Sequence, residues 1–171
     1  TDAGLEYTGA LKVLQMIFSY EYLWIQIRVK GGAYGCMCSF SDQGDSMFVT
    51  YRDPNLSESY KVYDEAADYV ADFDADDRDM KKYIIGTIGS MDMPMEAVDM
   101  GARSFHAYFL DKTEADLQKV RDQVLSCTQE DIRALAPIVK AVVEAGNRCC
   151  IGNEEKIDQN KEYFDEVKHV L

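Results

Sequence analysis

Histidine is nearly absent. The 171 residues hold two, His106 and His169. Neither H-E-x-x-H nor H-x-x-E-H occurs, so no zinc centre of the zincin or inverted-zincin kind is encoded here. There is no G-x-S-x-G and no Walker A loop, and "GGAYG" (31–35) does not fit G-x-G-x-x-G. Hydrophobic runs are short. None approaches the roughly 18 consecutive apolar residues of a membrane span. The opening "TDAGLEYTGA" has neither the basic n-region nor the apolar core of a secretory signal, so no membrane partner is expected. Positive charge is also scarce. Lys plus Arg number 18 against 31 Asp plus Glu, a net charge of −13, and the acid is densest at "DFDADDRD" (72–79). The basic patch of a nucleic-acid binder is missing, and no nucleic-acid partner is expected. An acidic surface keeps the chain soluble and steers basic peptides towards it. The five cysteines are odd in number and form no spaced framework, which suits a reducing compartment: the cytoplasm or, alternatively, an organelle matrix. Cys36 and Cys38 fall on one face of a strand. No second pair or histidine lies at zinc-finger spacing from them, so no metal site is expected within the chain.

What is present reads as one domain spanning 1–171. Apolar residues make up 47% and charged residues 29%, ordinary for a globular protein. Leu11, Leu14, Ile17 and Phe18 recur at helical spacing, Trp24 and Ile25 carry the stripe onward, and a helix is predicted over 8–25. "RVKGGAYG" (28–35) then reads as a loop. A hairpin follows: one arm over 34–40, a turn at "SDQGD", a second arm over 47–51. A helix opening at Pro54 carries the stripe Leu56, Tyr60, Tyr63, Ala67, Val70 and Phe73. The next aligns Met80, Tyr83, Ile84, Thr87, Ile88 and Met91. A fourth, over 95–110, directs Val98, Ala102, Phe105 and Phe109 inward. "TEAD" (113–116) and "TQED" (128–131) are capping boxes that open helices over 114–126 and 129–145, the latter stopped by Gly146. A strand over 148–152 and a helix over 159–170 complete the order. A two- or three-stranded sheet with this many helices looks incomplete. The chain, which does not begin with methionine, is therefore read as part of a longer polypeptide with further strands upstream. An incomplete sheet also favours edge pairing between two copies of the fragment.

Arg28 and Tyr34 are the residues with chemistry to offer. Arginine stays charged at any working pH, and a phenol is protonated at neutral pH. Such donors stabilise an oxyanion when fixed beside a reacting carbonyl. The uncovered backbone at Gly31 and Gly32 reads either as a turn between two elements or as a set of hydrogen-bond donors facing a substrate. On chemistry alone the plainer reading is preferred: Arg28 in a surface ion pair, and Tyr34 half-buried in a strand. His106 reads as a packing or surface residue and His169 as solvated.

"EYLWIQIRVKGGAYG" (21–35), "TYRDPNLSESYKVYDEAADYV" (50–70), "KKYIIGTIGSMDMPMEAVDMGARSF" (81–105) and "CCIGNEEKIDQNKEYFDEV" (149–167) together resemble the C-terminal domain of the presequence protease branch (M16C) of the pitrilysin-type zinc metallopeptidases. The resemblance runs from Tyr7 to Val167. It implies an α+β domain, an antiparallel sheet packed against helices, lacking its N-terminal strands here. It implies a long polypeptide whose two halves enclose a chamber for unstructured peptides, with the N-terminal domains of the same polypeptide as partners. Zinc would sit in the first of those domains, so this chain alone would be inactive. Arg28 and Tyr34 match the family's arginine and tyrosine that bind substrate backbone and stabilise the tetrahedral intermediate. Two other readings remain: a non-catalytic core subunit that keeps the fold without the metal, and a free-standing peptide-binding module.

Overall fold

The computed structural model describes residues 4–169. Its centre is one long helix. α1 (Ala10–Ile17) runs without a break into two π-helical stretches, Phe18–Tyr22 and Trp24–Lys30, joined by Leu23 in helical geometry. Val13, Leu14, Ile17, Phe18, Leu23 and Ile27 on this helix are almost fully buried. The expected stripe is therefore correct from Leu11 to Phe18. The expected end is not: the helix continues through Arg28, and Trp24 and Ile25 are partly exposed. The wider turn carries the buried side over to Leu23 and Ile27.

The hairpin follows as expected. β1 (Gly35–Phe40) pairs antiparallel with β2 (Ser46–Tyr51), in a register that sets Gly35 opposite Tyr51 and Phe40 opposite Ser46. Among the described residues this is the whole sheet. Cys38 and Phe40 point into the core, with Cys36 half-buried beside them. Phe18 ties the helix to the hairpin: its ring centroid lies 6.3 Å from Phe40 and 5.7 Å from Phe48. It also lies 6.0 Å from Tyr69 on the far side. Burying an aromatic ring among others adds pair energy to the area it removes from water.

Eight short or medium α-helices follow among the described residues. α2 (Ser57–Asp64) and α3 (Ala66–Ala71) replace the single helix expected from Pro54; they meet at Glu65, and Pro54 lies before the first turn. α4 (Asp77–Met91) starts within the acidic stretch because Asp76 accepts from the N–H groups of Arg78 and Asp79, both at 2.9 Å. Carboxylates also suit the positive end of the helix. Its buried face carries Met80 and Thr87, with Tyr83, Ile84, Ile88 and Met91 partly buried. α6 (Glu114–Leu125) and α7 (Gln129–Arg133) open on reciprocal capping boxes, Thr113 with Asp116 and Thr128 with Asp131, as the sequence indicates. The second predicted helix divides: α7 stops at Arg133 and α8 (Ala136–Glu144) continues with Pro137 in its first turn, where a proline needs no N–H partner. Gly146 follows with φ +66.

Three expectations are corrected. α5 (Ala97–Phe109) forms where predicted, but Val98, Ala102, Phe105 and Phe109 are exposed rather than inward, and no residue of this helix is buried. Residues 148–152 form no strand: a strand needs a ladder partner, and β2 pairs only with β1 among the described residues. The final helix is shorter and earlier, α9 (Glu154–Asp158) with a 3₁₀ turn at Lys161–Tyr163; the predicted end at residue 170 lies outside the described residues. Arg148 instead docks on Asp64 at 2.8 Å and stacks on Tyr60 and Tyr163. The fold is α+β, an antiparallel hairpin against helices.

Candidate functional site: an arginine–tyrosine corner

Arg28 lies on the last turn of the π-helical stretch rather than in a loop. The wide turn is closed by hydrogen bonds from Gly31 N–H to Gln26 O (3.1 Å), Gly32 N–H to Arg28 O (3.0 Å) and Ala33 N–H to Ile27 O (3.2 Å). Glycine is required twice. A side chain on Gly31 would put its Cβ 2.5 Å from Ile27 O. Gly32 sits at φ +80, where a Cβ is strained. Both glycine N–H groups are used inside the helix end, so of the two readings open for them, a turn or a set of donors, the turn is what forms. Their role is to shape the turn.

That turn carries the chain from helix to hairpin and brings two distant motifs together. Asn55 Nδ2 donates to Gly31 O at 2.5 Å. Asn55 is itself held by Asp53, whose Oδ1 accepts the Asn55 N–H at 3.0 Å while Oδ2 accepts from the Ser59 hydroxyl at 2.6 Å. The "RDPN" block thus latches the end of "RVKGG". Tyr34 then precedes β1. Its carbonyl accepts from Arg28 Nε at 2.9 Å and its N–H donates to Arg52 O at 3.3 Å.

The side chains form an aromatic–cationic cluster. The Arg28 guanidinium lies 4.2 Å from the centroid of Trp24, one helical turn earlier. Tyr34 packs edge-on to Tyr51 at 5.9 Å, and the Arg52 guanidinium lies 5.8 Å and 5.3 Å from these two rings. Tyr34 is 64% exposed, and its hydroxyl bonds to no described residue. The alternative of a surface ion pair for Arg28 is not what forms: Arg121, Arg133 and Arg148 each meet a carboxylate, whereas no ion pair among the described residues involves Arg28 or Arg52. Two arginines without counter-ions and an exposed phenol therefore share one corner of a strongly acidic chain.

This corner offers donors and no nucleophile or base. Cys36 lies close by, but burial pushes its thiol up; the Arg28 charge opposes that shift and Asp53 adds to it. Cys38 is driven up to about 12, first by burial. A protonated, half-buried thiol is a poor nucleophile. His106 is exposed, and His169 is partnered by Glu154, Nδ1 to Oε1 3.0 Å; neither belongs to the cluster. Among the described residues no group of three or more His, Cys, Asp or Glu is placed to hold a metal ion, so the residues present do not fit zinc. From sequence Trp24 reads only as part of the helical stripe, and Tyr51, Arg52 and Asn55 only as part of a motif, none of them as a site residue. The proximity of "YRDPN" to "RVKGGAYG" arises only in the fold, and nothing local to either motif signals it.

A two-stranded hairpin on helices is consistent with an α+β domain of the M16 peptidase type. Comparison with known families is more specific: residues 1–153 match the family described as PreP C-terminal domain, and the chain belongs to that family. It is 41% identical over 168 residues to "Protein HypA" of Clostridium perfringens, covering 98% of this chain and 17% of that protein. It is 33% identical over 174 residues to "Presequence protease 1, chloroplastic/mitochondrial" of Arabidopsis thaliana, covering 99% of this chain and 16% of that protein. With "Presequence protease, mitochondrial" of Aspergillus fumigatus it shares 34% identity over 152 residues, 87% of this chain and 14% of that protein. The chain thus spans less than a fifth of the length of these relatives.

Proposed function

We propose that this chain is the C-terminal portion of a zinc metalloendopeptidase that degrades unstructured peptides within a closed chamber, and that Arg28 and Tyr34 are its donors to the substrate. The observation that carries this reading is the bond from Arg28 Nε to Tyr34 O. It ties the Arg28 side chain to the Tyr34 backbone, leaving the other guanidinium N–H groups, and a phenol that bonds to no described residue, to face a ligand. Arg28 is held on the Trp24 face, so less side-chain freedom is lost when it binds a peptide carbonyl. The Tyr34 O–H is the second donor in this reading. Donors fixed in advance at the place where negative charge develops act with little reorganisation, and one such donor is worth about 10²–10³ in kcat. Gly31 and Gly32 add no donors; without side chains they leave room for a substrate backbone beside the pair.

Zinc, when bound in another domain of the polypeptide, would activate the water that attacks the peptide bond. No residue of this chain is assigned to hold it, and this chain alone is inactive in this reading. The N-terminal domains of the same polypeptide are the proposed partners, and the exposed apolar side of α5 is the surface offered to them. Five free thiols and the acidic surface fit a reducing compartment and basic peptides. The proposed location is the cytoplasm, with an organelle matrix as the alternative that the plant and fungal relatives' names favour. The test is hydrolysis of an unstructured peptide by this chain and by the complete polypeptide, before and after chelation and zinc re-addition. The expected result is turnover only by the zinc-loaded complete polypeptide. No turnover there would select the non-catalytic core subunit.

A further inference from the structure

We propose that Arg52 is a positioning residue that fixes the Tyr34 phenol, an inference that rests on Tyr34 being the substrate donor. An exposed tyrosine whose hydroxyl has no partner among the described residues is free to change rotamer on the picosecond to nanosecond scale, which is poor preorganisation for a donor. The Arg52 backbone places the residue and its side chain restrains the ring in two ways. One step beyond the last ladder pair, Gly35 and Tyr51, the Arg52 backbone carbonyl accepts the Tyr34 N–H at 3.3 Å, which sets the Tyr34 backbone opposite it. Its guanidinium lies 5.8 Å from the Tyr34 ring, within range of a cation–π contact. The same guanidinium lies 5.3 Å from Tyr51, whose ring in turn stands edge-on to Tyr34 at 5.9 Å and 79°. Cation and two rings therefore form a closed triangle around the phenol-bearing side chain.

Two features set Arg52 apart from an ordinary surface arginine. Arg52 has φ +48, a left-handed backbone that a long side chain adopts rarely. Such outliers persist where the surroundings over-determine them and gather at functional sites. Arg52 also forms no ion pair among the described residues, although acids outnumber bases 31 to 18 and Asp53 is its neighbour. The Asp53 carboxylate is instead taken by Ser59 and Asn55, and the guanidinium is left to the rings. The "YRDPN" block thus has two tasks. Asp53 and Asn55 latch the glycine turn, and Arg52 and Tyr51 aim the tyrosine.

The test is the complete polypeptide carrying Arg52→Met, Arg52→Lys or Arg52→Gly, each with and without Tyr34→Phe, read as kcat and KM on an unstructured peptide. Arg52→Met should lower kcat about two- to fivefold with KM changed less than about twofold, the range expected when an exposed cation–π restraint is lost. Arg52→Lys keeps the cation and should recover most of the loss. Arg52→Gly relieves the positive φ, so it should unfold no earlier than wild type yet lose kcat like Arg52→Met; a purely structural role would reverse that order. In the Tyr34→Phe background Arg52→Met should cost nothing further, because residues acting as a unit are non-additive. Additive losses, or a full kcat in Arg52→Met where Tyr34→Phe is impaired, overturn this proposal alone. An unimpaired Tyr34→Phe overturns the donor assignment and this proposal with it.

Discussion

Gly31, Gly32 and Gly35 lie within five residues, yet alanine should act differently at each. At Gly31 the added Cβ would sit 2.5 Å from Ile27 O and 3.2 Å from Gln26 O. Both are backbone atoms inside the π-helical end, so the turn itself must move. Overpacking of this kind costs about 1–3 kcal/mol. Moving the turn also shifts Gly31 O, the acceptor of Asn55 at 2.5 Å, a hydrogen bond worth about 0.5–1.5 kcal/mol net. Gly31→Ala should therefore destabilise by about 2–4 kcal/mol, or roughly 5–15 °C in Tm for a chain of this size. Gly32→Ala meets only Pro54 Cγ at 3.8 Å but must hold φ +80. The left-handed cost of about 1–2 kcal/mol is partly offset by a stiffer unfolded chain, leaving about 1 kcal/mol. Gly35→Ala meets nothing within 4 Å and has no positive φ, so it should stay within about 0.5 kcal/mol of wild type. Urea and thermal unfolding followed by circular dichroism would rank the three. Equal losses at Gly31 and Gly35, or a silent Gly31→Ala, would refute the π-helical account of this corner.

Other consequences can be checked directly. Phe105 and Phe109 on α5 are 65% and 67% exposed, so Asp at both should leave the stability of this chain within about 0.5 kcal/mol per site; in the complete polypeptide the same change should lower Tm, if α5 seats another domain. Thiol labelling at neutral pH should modify exposed Cys149 first, while Cys38 and Cys127, buried and held up at about 12, should label only on unfolding. Burial likewise lifts Tyr7 and Tyr69 to about 12. These groups stay neutral in the fold while their unfolded counterparts ionise at about 8.5 for Cys and about 10 for Tyr. Their contribution is fully present below those unfolded values and is lost as pH rises through about 12. Stability should fall from about pH 9 upward, and a denaturation midpoint unchanged between pH 8 and 11 would contradict the assignment of these side chains to the core.

Much of this architecture can be read in local chemistry. Thr113 and Thr128 announce their helices because a capping box needs only four consecutive residues. The Met80–Met91 face and the hairpin arms follow from periodicity. Arg28 and Tyr34 stand out as a donor pair by residue type. What failed depended on neighbours distant in sequence or on single backbone angles. A π-helical turn has the same composition as an α-helical one, so the helix was ended too early and Arg28 placed in a loop. Periodicity shows that α5 has an apolar side but not what covers it. Residues 148–152 have strand composition and no ladder partner among the described residues. The strained φ of Arg52 and the Asn55 latch on Gly31 leave no mark on the sequence at all.

The most direct measurement is kcat of the complete, zinc-loaded polypeptide with Tyr34→Phe. Tyr34 is 64% exposed and its hydroxyl bonds to no described residue, so removing one oxygen should leave folding and metal content unchanged. If the phenol is a transition-state donor, kcat should fall by about 10²–10³-fold while KM changes little. An unchanged kcat would contradict the central claim and leave the corner as a structural turn.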